Sequence, residues 1–334
     1  MRFATKLLVP TALALAIVAV VAGCGSSSNS GSGASSSASS SAKVYHIGVT
    51  QIVTHPALDG AIAGFKQALA AKGIQATYDM QNAQGDMSVA AQIAQKFAGE
   101  HLDLILGVAT PTTQAVVKAD TSTPIIFTAV TDPKGAGIVA DPTAPSANVT
   151  GVSDMLPVQP HLNLIKELVP NVKAIGVLYN AGESNSVFLV KAETAAAQKM
   201  GIKVIPATAS TSADVEQAAQ SLVGRVQAFS VLTDNTVVSA LASVVKVAEQ
   251  NHIPLIAGDT DSVKAGAAAA YGFNYTDLGY QTGLMAARVL TGTPISSIPV
   301  EYAQKLQLAV NETTAKAMGI TLPASLVAKA NYKY

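Results

Sequence analysis

The 334-residue chain has no tryptophan, one cysteine, and arginine only at Arg2, Arg225 and Arg288. Each scarcity excludes a class of chemistry. The lone Cys24 cannot build a disulfide framework. It leaves residues 25–334 without a thiol, so cysteine nucleophiles and thiolate metal sites drop out. His46, His55, His101, His161 and His252 stand singly with no metal-ligand spacing, and no metal or cofactor is expected. So few arginines argue against phosphate or multiply anionic ligands. The absence of tryptophan argues against a sugar stacked on aromatic faces. Basic charge is short as well. Without residues 1–23, 19 Lys+Arg face 21 Asp+Glu, a net charge of −2, which supplies no basic face for nucleic acid. G-x-S-x-G, Walker A and H-E-x-x-H patterns are all missing. Gly135 to Ala140 fits only the loose G-x-G-x-x-A form and does not directly follow a hydrophobic strand, so it reads as a turn. The chain is read as a non-enzyme.

What is present begins with a leader. Arg2 and Lys6 precede an apolar run from Leu7 to Val21, which ends in small residues before Cys24. Pro10 and Thr11 interrupt the run, which is short of the ~20 apolar residues a spanning helix needs. The pattern is that of a secretory signal over residues 1–23. Val20-Val21-Ala22-Gly23-Cys24 resembles the lipobox of bacterial lipoproteins, which implies lipidation at Cys24. Residues 24–42 are almost entirely Ser, Gly and Ala and read as a disordered tether. Gly25 to Ala42 would span ~20–25 Å as a flexible coil. The expected location is the cell envelope, lipid-anchored to the outer face of the cell membrane, or periplasmic if there is an outer membrane.

From Lys43 onward short apolar strands alternate with amphipathic helices, the pattern of an α/β chain with parallel βαβ units. The first half reads strand at His46–Thr50, Gln75–Met80, Leu102–Val108 and Pro124–Thr128, with helices at Ala57–Lys72, Asp86–Ala98 and Thr112–Ala119. The second half repeats the theme from Lys173–Tyr179 through a single helix at Asn235–Gln250 to a long helix at Tyr275–Leu290. The tail carries strands at Pro299–Tyr302 and Leu306–Val310. Gly48 and Gly73 recur at the same separation as Gly176 and Gly201, which favours two copies of one doubly wound lobe. The 311 residues after residue 23 suit two such lobes.

Ligands of open α/β sheets bind beyond the carboxyl ends of the strands. Polar residues gather there: Thr50-Gln51 and His55, Thr110 to Thr113, Thr131-Asp132, Asn180 to Ser186, Thr233 to Thr236, and Asp259 to Asp261. Any one of them could serve only as a helix N-cap. Together they favour a binding site between two lobes.

Several stretches carry a closer likeness. They are Ile47 to Gln51 with His55 to Leu58, Gln81 to Asp86, Phe127 to Pro133, Thr233 to Val238, and Asp259 to Val263. Over about residues 43–320 the chain resembles the periplasmic-binding-protein type 1 receptors of the tryptophan-binding, TrpX-like group. The resemblance implies two Rossmann-like doubly wound lobes joined by three hinges, in the Venus-flytrap manner. The first lobe would take residues 43–153 and 275–298, the second 154–274 and 299–334. Hinges would fall near Val152–Asp154, Phe273–Tyr275 and Ser297–Pro299. It also implies a monomer that delivers a small ligand, often an aromatic amino acid, to an ABC permease and ATPase. A lipoprotein sensor, or a different solute such as a nucleoside, stays open.

A zwitterionic ligand can be matched to residues. Its ammonium would meet a carboxylate among Asp132, Glu183, Asp234 and Asp259. Its carboxylate would meet hydroxyls and N–H groups at helix starts, at Thr110, Thr112 and Ser184-Asn185. Its side chain would lie on Ile52, Pro111 or Tyr179, with Gln51, His55, Thr131 and Asn235 completing the wall.

Overall fold

Strands buried on both faces need helices on both sides, and short apolar runs between amphipathic helices supply that arrangement. The structure, a computed structural model, describes residues 43–145 and 148–334. The leader, Cys24 and the tether lie outside the described residues. The first half runs β1 (Val44–Gln51), α1 (Pro56–Ala71), β2 (Gln75–Asn82), α2 (Met87–Ala98), β3 (Leu104–Val108), α3 (Thr110–Ala119), β4 (Ile125–Val130) and β5 (Val149–Ser153). β3, β4 and β5 are buried end to end. Asp86 caps α2 by accepting the N–H groups of Ser88 and Val89.

The second half runs α4 (Val158–Leu168), β6 (Ala174–Tyr179), α5 (Ser184–Lys199), β7 (Lys203–Thr208), α6 (Val215–Gln220), β8 (Ala228–Val231), α7 (Asn235–Ser239), α8 (Leu241–Gln250), β9 (Leu255–Asp259), α9 (Thr260–Lys264) and β10 (Ala269–Phe273). The tail adds α10 (Tyr275–Leu290), β11 (Glu301–Tyr302), β12 (Gln307–Val310), α11 (Glu312–Ala317), α12 (Ala324–Lys329) and β13 (Tyr332–Lys333).

Two sheets result, ordered β11-β5-β4-β3-β1-β2 and β13-β12-β10-β9-β8-β6-β7. Within each, the five strands that begin a half follow the same order, second-first-third-fourth-fifth. All of those pairings are parallel; β12 runs antiparallel to β10, and β13 lies parallel to β12. Each sheet has its own apolar core, one around Phe65, Phe97 and Phe127 and the other around Phe229. The repeated glycines do equivalent work. A Cβ on Gly48 would strike Leu102 and Phe97, at and just after the end of α2, and one on Gly176 would strike Leu222, just after α6, so each first strand lies close under the segment that leads into the third strand of its lobe.

The chain crosses between lobes at 154–157, at Asn274 and at 303–306. α10 returns to the first lobe and lies flat against α1. Glycine makes this possible, since a Cβ on Gly64 would collide with Thr276 O and one on Gly279 with Ala61 O. The third crossing differs from the expected Ser297–Pro299. Glu301 and Tyr302 pair with Val152 and Ser153, so β11 extends the first lobe's sheet and residues 299–302 do not belong to the second. A two-residue edge strand carries too little apolar pattern to announce its sheet. The helix expected over Asn235–Gln250 is also two, broken at Ala240, where ψ is 23°. β-Branched Thr236, Val237 and Val238 make the first piece a weak helix by propensity.

Candidate functional site

The carboxyl ends of both sheets face the gap between the lobes. Three non-glycine residues there hold positive φ: Gln84 at 55°, after β2, Ala109 at 78°, ahead of α3, and Ala129 at 57°. Ala129 sits where the pairing of β4 with β5 shifts register, and that irregularity turns it toward the gap. Such backbone strain tends to gather at ligand-binding loops.

At the centre is a narrow pocket of about 10 Å³, room for a single water-sized group. The first lobe contributes His55, Ala57, Leu58 and Ala129; the second contributes Asn185, Thr233, Asp234, Asn235, Val238 and Asp259. Asp154 and Tyr275 enter from the first two crossings. Three buried carboxylates therefore surround one small space. Asp234 is the N-cap of α7 and accepts from Val237 N at 2.7 Å and Asn180 N at 2.6 Å. Asp259 caps α9 and accepts from Ser262 N and Oγ, both at 2.7 Å. Asp154 accepts from Tyr275 Oη at 2.6 Å and Thr131 Oγ1 at 3.0 Å. Burial pushes Asp234 up to about 7, with help from the nearby Glu183 charge. Burial also lifts Asp259 to about 7, with Asp261 adding to it, and lifts Asp154 as well. Burial drives His55 down to about 4, so its imidazole is neutral at physiological pH. Neither His55 ring nitrogen has a well-formed hydrogen bond, although Asn235 lies close enough to oppose that shift. Asn185 Oδ1 and Thr233 Oγ1 are likewise buried without a protein partner.

Two open chambers adjoin the pocket. One, about 530 Å³, shares Asn235 with it and is walled by Ile52, Val53, Met87 and Pro111, with Asn180, Glu183 and Ser210 to Ser212 on the other side. The other, about 430 Å³, shares Asn185 and is lined by Asp132, Ser184 and Phe188. Among the described residues, no lysine or arginine lines any of the three. Arg288 faces Glu301 at 3.5 Å on the far side of α10, and Arg225 bonds the carbonyl of Ser221.

The expected site residues divide accordingly. Ile52, His55, Pro111, Asp132, Glu183, Ser184, Asn185, Asp234, Asn235 and Asp259 line the three spaces. Gln51, Thr110, Thr112, Thr131 and Tyr179 do not. The Gln51 amide donates to Asp59 in α1, and the Thr112 hydroxyl donates to Val108 O at 2.6 Å. Thr110 Oγ1 accepts from Thr131 N, and the Thr131 hydroxyl donates to Asp154. Tyr179 closes β6 beside Thr208. Glu183 is at the wall but already committed. Its carboxylate accepts from the backbone N–H groups of Asn235 and Thr236 and from the Asn235, Thr236 and Asn185 side chains. It is a lock on the start of α7 and has little capacity left for an ammonium. Asp154 and Tyr275 were expected as hinge residues only. The signal for Asp154 was there, since Ser153-Asp154 follows a buried strand just as Thr131-Asp132 and Thr233-Asp234 do.

Residues 46–333 match the family described as ABC transporter substrate binding protein. A tyrosine-binding protein of Clostridioides difficile is 43% identical over 280 residues, which cover 83% of this chain and 81% of that protein. The ABC domain from Streptococcus pneumoniae in complex with L-Trp aligns at a TM-score of 0.83 with 34% identity, covering 87% of this chain and all of that one. A ligand-free, open substrate-binding protein of Clostridium difficile aligns at 0.65 with 41% identity, covering 86% of this chain and 98% of that one. The chain belongs to the ABC transporter substrate-binding protein family, with the two-lobed type 1 periplasmic-binding fold. The whole chain superposes on the tryptophan complex better than on the open form despite the lower identity, in keeping with a closed gap between the lobes.

Proposed function

We propose that the protein is the solute receptor of an ABC-type importer and binds an aromatic amino acid between its lobes. One observation carries this reading. Asp154, Asp234 and Asp259 surround a space the size of an ammonium group, and no protein cation lines it. Buried carboxylates without a partner charge are costly, so the site calls for a cationic group from outside. The 530 Å³ chamber beside it has the volume of a small-ligand site, with Ile52, Val53, Met87 and Pro111 as apolar walls for a ring. With no arginine among the described residues that line these spaces, the ligand carboxylate is held by hydroxyls and by N–H groups at the start of α5, where Ser184 and Asn185 stand. The tyrosine- and tryptophan-binding relatives fit the same chemistry.

Ligand contacts both lobes only in the closed form, so binding shifts the population toward closure. The closed face is what a permease and its ATPase would read. Cys24 would carry the lipid anchor that holds a monomeric receptor at the membrane. The protein acts as a receptor and performs no chemistry on its ligand. Isothermal titration of residues 43–334 with the standard amino acids is expected to give heat with L-tyrosine, L-tryptophan or L-phenylalanine; silence from all of them removes the proposal.

A further inference from the structure

The three pocket carboxylates are not equivalent. Asp234 and Asp259 each accept backbone N–H groups at a helix start, so part of their charge is already met by a helix terminus. Asp154 begins no helix. It is 2% exposed, and its two oxygens accept only from the hydroxyls of Thr131 and Tyr275, both neutral. Of the three, it alone has no helix terminus beside it.

Its place in the chain matters as much. Asp154 lies in the first crossing between the lobes and Tyr275 begins the helix after the second. Thr131 belongs to the first lobe, and Asp154 N donates to Val130 O there, so Asp154 is tied to the first lobe. Tyr275 is held from the other side. Its backbone N–H donates to Asp261 Oδ2 at 3.0 Å, and Asn274 Nδ2 donates to Asp261 Oδ1 at 3.2 Å, both on α9 of the second lobe. The Tyr275 ring packs edge-on against Phe273 at 5.4 Å. One side chain thus spans both crossings and fixes the carboxylate between them.

We propose that Asp154 is the principal acceptor of the ligand's ammonium and that Tyr275 is the residue that positions it, so that ligand charge is read on the hinge itself. The inference rests on the amino-acid reading above. An ammonium in the pocket would bond Asp154 while Tyr275 bonds the same carboxylate from the second crossing. Opening the lobes would then have to pull this arrangement apart.

The test compares L-tyrosine and L-tryptophan with their deamino analogues, the hydroxyphenyl- and indole-propionates, by titration calorimetry on residues 43–334. Wild type is expected to prefer the amino acid strongly. Asp154→Asn should weaken the amino acid about 10–100-fold while leaving the analogue nearly unchanged, so that the preference collapses. Tyr275→Phe keeps the ring and its packing, and should lose about 3–10-fold of the same preference, within the worth of one hydrogen bond. A merely structural Tyr275 would weaken both ligands alike. Full preference retained in Asp154→Asn, or a collapse seen in Asp234→Asn or Asp259→Asn instead, overturns the assignment to Asp154 and leaves the receptor reading intact. If Asp154→Asn does not fold, an unchanged preference in Tyr275→Phe overturns the positioning role and a reduced one supports it. Wild type that binds no amino acid removes both.

Discussion

Asn180 N–H donates to Asp234 Oδ2 at 2.6 Å, tying the loop after β6 to the loop after β8. Asp234 also caps α7 through Val237 N. It is a structural clasp as well as a pocket wall. Asp234→Ala should therefore cost about 1–2 kcal/mol of stability, the scale of a lost cap, together with weaker ligand binding. Urea unfolding of the unliganded protein checks the first part. An unchanged midpoint would make the carboxylate a ligand group alone.

The raised carboxylates predict how affinity depends on pH. Asp234 and Asp259 titrate near 7 in the folded protein against an ordinary 3.8, because both are buried. At pH 5 they hold protons, and an incoming ammonium favours the ionised forms. Binding then releases protons and tightens as pH rises toward 7, by up to about tenfold per unit for each proton released. The unliganded fold shows the opposite trend. Its contribution from these groups is complete below 3.8 and is lost as pH climbs through 7, so its melting temperature falls between pH 5 and pH 8. Titrations in buffers of different ionisation heat check the proton count, and affinity that is flat from pH 5 to 7 would contradict it.

A buried polar trio lies away from the gap, in the second lobe. Ser230 Oγ is 2.8 Å from His161 Nε2 and donates to Glu193 Oε1 at 2.7 Å, with His161 and Glu193 wholly buried. Burial raises Glu193 from 4.5 to about 7 and lowers His161 from 6.5 to about 4. The two act oppositely on stability. Glu193 costs stability as pH rises from 4.5 to 7, and His161 costs it as pH falls from 6.5 to 4. Glu193→Gln removes only the first. The variant should gain on wild type across the upper window, by an amount on the order of 3 kcal/mol. Thermal melts at pH 5 and pH 8 read the difference directly.

Packing of α10 on α1 gives a further prediction. Gly279→Ala puts a Cβ into the carbonyl of Ala61. The helices must part, at a cost of about 1–3 kcal/mol, the usual penalty for overpacking. A lowered melting temperature with unchanged ligand contacts is the expected result, and full stability would show that the interface yields freely.

The two-lobed fold was legible because buried parallel strands read as unbroken apolar runs and because Gly48–Gly73 and Gly176–Gly201 repeat their spacing. Most wall residues were legible too, since strand ends in such sheets carry the ligand loops. The roles were harder. Glu183 looked like a free carboxylate because its partners, Asn235 and Thr236, lie 52 and 53 residues further on. Thr110, Thr112 and Thr131 looked like ligand hydroxyls, but their bonds go to backbone and to Asp154, a choice set by tertiary packing. Asp154 and Tyr275 join only when two crossings 121 residues apart come together, and no local pattern encodes that meeting.

The return of α10 and β11 to the first lobe has a consequence for how the chain is made. The first sheet lacks its edge strand, and α1 lacks its packing partner, until residues 275–302 have been synthesised. By then β6 to β10 of the second lobe already exist, and that lobe in turn awaits β12 and β13. Neither half is a contiguous fragment that could be cut out and expected to fold. The last sixty or so residues complete both lobes, so a chain truncated before Tyr275 would expose two unfinished cores at once.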